Sequence, residues 1–298
     1  MDFASQLGKN IKNLREAMKL SQNDLAEGIC SQACISRIEK GKLSPTAEIL
    51  YKIAMKLRVD INYLFDLSSI SRFDYVNDVF LEIRVKIRYK EYEEVKRIIS
   101  VEKKNPLFYE NLHNKQFLKW HEGICIYYLE KNVEKAIQRL DESLTLLRTT
   151  ENDYFSEREV EILLSKGIIF SEEGQYHEAI EIYQECLNHL NSLPKLNDFR
   201  IKIRVLYNLT KTLIEMKELD QALIHCDQGI QLCIDNETLY LFAELFFQKG
   251  RIYKKKGDFL QAIHYMKKAN FIFSLTNRTK YISAVSKIIS EISLENNK

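Results

Sequence analysis

A small residue recurs at nearly constant spacing along most of the chain, and this repeat limits the possible folds more than any other feature. The recurring alanines stand 43, 43 and 40 residues apart, at Ala136, Ala179, Ala222 and Ala262. Each lies in a segment with helical periodicity, which follows a polar turn and another helical segment. Self-similarity with a period of about 20 to 50 residues is typical of stacked repeats. The sequence therefore predicts an array of helix pairs.

The composition favours a purely helical chain. Only 9 Gly and 3 Pro occur among 298 residues, whereas sheet proteins need many tight turns built from these residues. Hydrophobic residues make up 45% of the chain, which is enough for a packed core. We therefore expect an all-α protein.

The sequence gives no sign of a membrane, a metal or a cofactor. No apolar run reaches the ~20 residues of a membrane span, and residues 1–14 lack the apolar block of a signal peptide. The six cysteines include no CxxC pair, and no histidine stands at zinc-finger spacing. We interpret the chain as a cytoplasmic protein with reduced cysteines. Cys34 alone is kept open as a possible redox sensor.

The spacing of the repeats also locates the start of the array. A degenerate unit, with Glu94-Val95-Lys96 at the alanine position, precedes the four clear ones. Five units and a terminal helix then fill residues 76–298. The predicted domains are residues 1–66, a linker over 67–75, and the repeat domain 76–298.

Residues 3–65 have the pattern of five short helices. Ser21 is a good N-cap for the second helix, and Asp24 can complete a capping box. Ser31 can cap a third helix over residues 32–40, and Gly41 is a typical stop signal. This domain has a formal charge of +2, whereas residues 67–298 are neutral. Such a small excess permits nucleic-acid binding without establishing it.

The segment Leu20-Ser21-Gln22, Leu25-Ala26 and Ile35-Ser36-Arg37-Ile38-Glu39 with Gly41 resembles the helix-turn-helix domain of phage repressors and Cro. In that family the third helix lies in the major groove of double-stranded DNA. The resemblance implies that the residues facing base edges or phosphates are Gln22, Gln32, Ala33, Ser36, Arg37, Lys40 and Lys42. The alternative is a helical hairpin that binds protein. The absence of acidic residues from the third helix before Glu39 argues for DNA.

The repeats resemble the tetratricopeptide repeat, although their 40 to 43 residues exceed its period of about 34. We expect a right-handed superhelix of five such helix pairs, in which the first helix of each pair lines a peptide-binding groove. Counting back from each alanine gives the groove candidates Arg84, Arg88, Lys90, His121, Arg204, Tyr207, Asn208, Lys211, Gln248 and Arg251. Basic and amide side chains of this kind suit an extended peptide that carries carboxylates. Ordinary solvated side chains are the alternative.

The order of the two domains, with the strings Tyr207-Asn208 and Phe246-Phe247-Gln248-Lys249-Gly250, resembles the Rgg/NprR/PlcR/PrgX family of peptide-pheromone-responsive regulators of Gram-positive bacteria. The resemblance implies that a short re-imported signalling peptide binds the groove and changes how a homodimer presents its DNA-binding domains. The positions that match the family's peptide contacts are Arg88, Lys90, Asn208 and Gln248. A second groove asparagine of the family is missing, because the aligned stretch, Glu161-Ile162-Leu163-Leu164-Ser165, contains no asparagine.

We therefore expect a quorum-sensing transcription regulator whose homodimer reads an inverted-repeat operator. The alternative is a helix-turn-helix regulator controlled by a protein partner or a small molecule through the repeat scaffold. The sequence shows no paired carboxylates in a clear cleft, no Ser/His/Asp constellation and no phosphate loop. We accordingly expect no enzyme activity and no catalytic residue.

Overall fold

The computed structural model describes residues 3–69, 73–147 and 155–295. It divides into two compact units, Met1–Leu118 and Lys119–Lys298, which are treated separately below. The described residues contain helices and no strand, so the all-α prediction is confirmed. None of these helices is both long and apolar enough to cross a bilayer.

The first unit opens with the five predicted helices. They are α1 (Phe3–Ala17), α2 (Gln22–Ala26), α3 (Gln32–Glu39), α4 (Ala47–Lys56) and α5 (Ile61–Ser69). The capping box forms as predicted, because the Ser21 side chain accepts from the Asp24 amide and the Asp24 carboxylate accepts from the Ser21 amide. Ser31 caps α3 by accepting from the Cys34 amide. Local sequence signals therefore determine where α2 and α3 begin.

The predicted linker is largely helical where it is described. Helix α5 runs to Ser69 and the next helix, α6, begins at Phe73. Residues 70–72, which include the predicted joint residue Ser71, lie outside the described residues. The domain boundaries at 66 and 76 stay predictions.

A buried ion pair lies beneath the helix-turn-helix. Arg15 of α1 donates from Nε to Glu39 Oε1 at 2.6 Å and from a terminal nitrogen to Glu39 Oε2 at 3.0 Å. The same guanidinium donates to the Leu20 carbonyl at 2.7 Å. The Glu39 side chain is only 2% exposed. A guanidinium that donates two hydrogen bonds to one carboxylate fixes both the distance and the orientation of the two groups. This pair therefore holds the end of α3 against α1.

The repeat helices follow in the expected order. They are α6 (Phe73–Arg88), α7 (Tyr92–Glu102), α8 (Pro106–Tyr109), α9 (Leu112–Cys125), α10 (Val133–Thr145), α11 (Glu157–Glu172), α12 (Tyr176–Ser192), α13 (Arg200–Glu215), α14 (Leu219–Asp235), α15 (Phe242–Lys256), α16 (Phe259–Leu275) and α17 (Thr279–Glu295). A π-helical turn, Ile126–Glu130, continues α9. The five pairs are α6 with α7, α9 with α10, α11 with α12, α13 with α14 and α15 with α16, so the predicted number of repeats is confirmed.

Each helix pair turns through one residue in the left-handed region. These residues are Lys90, Lys131, Gly174, Lys217 and Gly257, with φ values between 54° and 81°. Each stands five positions before the small residue of its repeat. The turn and the second helix therefore keep one register in all five units, and the difference in repeat length falls outside this segment.

The small residues allow the two helices of a pair to pack closely. Ala136, Ala179, Ala222 and Ala262 are all completely buried. Gly167 of α11 lies so near α12 that an added Cβ would be 2.7 Å from Tyr183 Cε1. Larger side chains at these positions would force the helices apart.

We expect Gly167→Ala and Gly250→Ala each to destabilise the second unit by about 1–3 kcal/mol, although alanine has the better helix propensity. At Gly167 the added methyl group would meet the buried Tyr183 ring, and at Gly250 it would lie 2.6 Å from Met266 Cγ and 3.1 Å from the Ala262 carbonyl oxygen. Urea denaturation followed by far-ultraviolet circular dichroism measures both costs, and a gain of stability in either variant would contradict this packing.

Glu39→Gln should destabilise the helix-turn-helix by about 3 kcal/mol, because it leaves the buried Arg15 without a counter-charge. Hydrogen exchange with mass spectrometry should place the faster exchange within residues 3–65. The matched control is Glu48→Gln, which removes an exposed partner of Lys52 and should leave exchange unchanged. Equal effects of the two variants would show that the buried pair contributes nothing.

Candidate DNA interface and peptide groove

The exposed face of α3 presents the residues predicted to read DNA. Ile35 and Ile38 bury the opposite face in the core of the first unit. Gln32, Ala33 and Arg37 are exposed, and Ser36 is half-buried. Glu39, the acidic residue of α3, is turned inward to Arg15, so the outward face of this helix carries no exposed carboxylate.

Gln22 has a different local role from the predicted phosphate contact. Its Nε2 donates to Glu39 Oε2 at 2.8 Å, and its Oε1 accepts from Gln32 Nε2 at 2.6 Å. Because an ionised carboxylate only accepts, Glu39 determines which end of the Gln22 amide faces Gln32. The Gln32 amide is oriented in turn, with its own oxygen left for an outside donor. The buried ion pair thus positions a side chain on the outward surface of α3 that is predicted to face DNA.

The end of α3 places two lysines beside this surface. Lys40 forms the C-cap of the helix, and Lys40 and Lys42 are both exposed. Gly41 between them has φ 65°, and a Cβ there would be 2.6 Å from Ser5 Cα. Glycine is therefore needed at this position both for its conformation and for the contact with α1.

The cysteines of the helix-turn-helix are free and half-buried. Burial, together with the neighbouring Cys34 thiol, raises the pKa of the Cys30 thiol to about 11. Cys30 Sγ donates to the Ser31 carbonyl at 3.6 Å. The thiolate, which is the reactive form, is accordingly scarce at Cys30 near neutral pH. The role of Cys34 as a sensor stays a prediction.

Three of the groove candidates belong to the first unit. Arg84 places its guanidinium carbon 5.7 Å from the centre of the Phe117 ring. Arg88 is exposed at the end of α6. Lys90 is exposed too, and it is the left-handed turn residue of its repeat. Its equivalents Lys131 and Lys217 share this conformation, so its position has a structural reason independent of any ligand.

The arginines of the second unit are paired with carboxylates. Arg204 of α13 donates to Glu161 Oε1 of α11 at 2.5 Å, and Arg251 of α15 donates to Glu215 Oε1 of α13 at 2.7 Å. Burial works to lower the pKa of Arg204, but the Glu161 carboxylate raises it above its usual value. The hydrogen bond from Arg251 lowers the pKa of Glu215. Each pair is therefore ionised, and this surface is not simply basic.

The uncharged groove candidates differ in exposure. Gln248 is only 4% exposed; its Oε1 accepts from Arg251 at 2.8 Å, and its side chain lies beside the Tyr207 phenol. Asn208 is half-buried and donates to the Arg204 carbonyl of its own helix at 2.8 Å. Lys211, one turn further along α13, is half-buried. His121 is 2% exposed and lies 4.2 Å from the Trp120 ring, so it is enclosed rather than displayed.

The sequence pattern did not predict the carboxylates that pair with the arginines of the second unit. Glu161, Glu215 and Glu244 each stand on a first helix of a repeat and bind an arginine from a later part of the chain. The one signal for Glu161 is that it begins the stretch in which the resemblance implies an asparagine. Its pairing with Arg204, 43 residues away, had no signal of its own.

One cavity of about 670 Å³ lies apart from all these residues. It is lined by α10 together with Phe170 and Gln175. None of the predicted binding residues lines it. Within the described parts of the chain, no three His, Cys, Asp or Glu side chains are grouped so that they could hold a metal ion.

Comparisons with solved structures agree with this architecture. Bacillus thuringiensis PlcR, solved with the peptide PapR7 and DNA, is 25% identical; the match covers 95% of this chain and 99% of that one, with a TM-score of 0.87. ComR from S. thermophilus, solved with DNA and its signalling peptide ComS, is 16% identical over 96% and 99%, with a TM-score of 0.66. Streptococcus dysgalactiae Rgg2, an SHP pheromone receptor, is 16% identical over 96% and 99%, with a TM-score of 0.64.

Family profiles match both parts of the sequence. A helix-turn-helix profile matches residues 11–64, and the profile of the RNPP family C-terminal domain matches residues 81–291. No curated protein matches the sequence. Since the second profile covers most of the chain, the protein belongs to the RNPP family.

Proposed function

We propose that this protein is a cytoplasmic transcription regulator, not an enzyme, which binds double-stranded DNA and is controlled by a short linear signalling peptide. The observation that carries the proposal is the outward face of α3, which displays Gln32, Ala33 and Arg37 while Glu39 is turned into the core. A surface with exposed hydrogen-bond donors and no exposed carboxylate suits the negatively charged surface of a DNA duplex. The DNA present with PlcR and ComR supports the same interpretation.

The side chains of α3 match the donor and acceptor patterns of the major groove. Arg37 can bind guanine O6 and N7 with two hydrogen bonds, and the Ala33 methyl can contact a thymine methyl. Gln32 keeps its oxygen and one amide hydrogen available, which suits N6 and N7 of adenine. Lys40 and Lys42 would bind phosphates and contribute to register rather than to sequence choice.

The peptide would bind along the first helices of the repeats. Asn208 is the best placed amide, because its oxygen is not used by the hydrogen bond to its own helix. The peptides present with PlcR and ComR support this part of the proposal. The protein would act as a homodimer on an inverted repeat, and a peptide that prefers one arrangement shifts the population toward it. A coupling of about 1–3 kcal/mol is sufficient.

Arg37→Ala should weaken specific DNA binding by roughly 5- to 150-fold, because a two-point contact with guanine contributes about 1–3 kcal/mol of discrimination. Fluorescence anisotropy at fixed salt on a genomic fragment recovered by pull-down measures this change. Lys52→Ala on α4 is the control, since it removes a cation away from α3. If Arg37→Ala kept wild-type affinity, the assignment of α3 as the reading helix would be wrong.

Asn208→Ala should leave DNA affinity without peptide unchanged and weaken the peptide response. Loss of one hydrogen bond predicts about 2- to 10-fold weaker peptide binding. The measurement is the shift in DNA affinity on adding peptide fractions from spent growth medium. The control is Asn188→Ala, an exposed position on α12. An unchanged response in Asn208→Ala would count against the groove model.

A further inference from the structure

Four charged side chains form a row across successive elements of the second unit. Their signs alternate: Glu161 of α11, Arg204 of α13, Glu244 of α15, and Arg278 immediately before α17. The first two are bonded at 2.5 Å, and Arg278 is bonded to Glu244 Oε1. The row therefore consists of two ion pairs, with Arg204 and Glu244 as its inner members.

The inner members stand at the same height on neighbouring helices. Helices α13 and α15 pack together, and the Tyr207 phenol lies beside the Gln248 side chain between them. Arg204 precedes Tyr207 by three residues and Glu244 precedes Gln248 by four, so each lies one turn earlier on the same face. The Glu244 charge also raises the pKa of Tyr207, although burial of the phenol raises it more. Arg204 and Glu244 thus occupy equivalent positions of α13 and α15, on the two sides of the space between these helices, as the bonded Glu161 and Arg204 do on α11 and α13.

Each inner member has one polar atom left without a partner. Arg204 Nε and Glu244 Oε2 are both buried and make no hydrogen bond. A donor and an acceptor of opposite charge therefore flank this space, yet they form no bond with each other. Buried polar groups of this kind destabilise a fold unless something satisfies them.

We propose that the space between Arg204 and Glu244 binds one peptide unit of the signalling peptide, with its carbonyl accepting from Arg204 Nε and its N–H donating to Glu244 Oε2. This inference rests on the proposed function and adds Glu244 to the binding residues.

The alternating charges select a neutral group. A carboxylate in this space would meet Glu244 directly and Glu161 beyond Arg204, whereas an ammonium group would meet Arg204 directly and Arg278 beyond Glu244. An amide carries no net charge, and its dipole aligns with the row. The subsite therefore takes main-chain peptide, or an Asn or Gln side chain, in preference to an ionised one.

Ligand access requires a small movement of the side chains. The unpartnered atoms are covered, but the Arg204 side chain is 29% exposed and that of Glu244 is 13% exposed. The ligand can reach both atoms if these side chains rotate. Two hydrogen bonds to charged groups offset this movement, and they join α13 to α15 through the ligand. Peptide binding would then alter the contact between two repeats.

The test uses the full-length protein with labelled arginine and follows the Nε–Hε resonance of Arg204, assigned by its loss in Arg204→Lys. N-methylacetamide supplies a carbonyl and an N–H, N,N-dimethylacetamide supplies only a carbonyl, and acetate supplies an anion. N-methylacetamide should shift the resonance and bind about tenfold more tightly than the dimethyl compound, since its N–H bonds to a carboxylate. Equal binding of the two amides, tighter binding of acetate, or no shift would overturn the proposal.

The matched variant is Glu244→Gln, which keeps the shape of the side chain. Its oxygen must stay with Arg278, which only donates, so its NH2 group would face the space and the tenfold preference should disappear. Asp227→Asn removes the carboxylate bonded to Lys249 on the exposed side of α14 and should keep the preference. A preference that survives in Glu244→Gln would exclude Glu244 as the acceptor.

A separate measurement distinguishes this inference from the proposed function. A fluorescein-labelled pool of randomised heptapeptides tests whether the full-length protein binds peptides at all. If the pool binds and N-methylacetamide causes no shift, the peptide function stands and this subsite is wrong. If N-methylacetamide shows its preference and the pool fails to bind, the subsite stands and the peptide function is wrong.

Discussion

The close approach of two helices within each repeat is the constraint on which the rest of the second unit depends. Completely buried alanines on the second helices and small residues on the first helices allow this approach. A left-handed turn residue five positions earlier fixes the register. With that register fixed, residues at equivalent positions of successive first helices meet side by side. The pair Glu161–Arg204 is a direct result of this arrangement, and Glu215–Arg251 joins the next two first helices with an offset of about one turn.

The sequence was sufficient for those features that depend on neighbouring residues. Ser21 with Asp24 and Ser31 with Cys34 form caps within a single turn, so the starts of α2 and α3 could be predicted. The alanine spacing gave the number of helix pairs. The π-helical turn after Cys125 has one trace in the sequence, because Gly123 stands 13 positions before Ala136, whereas Gly167 and Gly250 stand 12 positions before their alanines. The alanine spacing alone does not show this additional residue.

Contacts between distant residues could not be predicted in the same way. Periodicity indicates which face of a helix is polar, but it does not identify the partner of a polar residue. Glu39 therefore looked like the acidic end of α3, whereas the structure buries it against Arg15, 24 residues away. Gln248 and His121 were expected on a displayed surface, and both are enclosed. Such pairs become visible only when the helices are assembled.

The different charge arrangements of α3 and of the second unit imply that ionic strength would separate the two binding events. Arg204, Arg251 and Arg278 each lie beside a carboxylate, so their fields largely cancel within a short distance. A peptide segment that binds beside these three arginines would be captured without long-range attraction, at a rate on the order of 10⁵–10⁶ M⁻¹ s⁻¹ that changes little with salt. Among the described residues Arg37, Lys40 and Lys42 form no ion pair, and their encounter with DNA would slow steeply as salt rises. Salt would therefore control how quickly the protein finds DNA while leaving the speed of peptide capture almost constant.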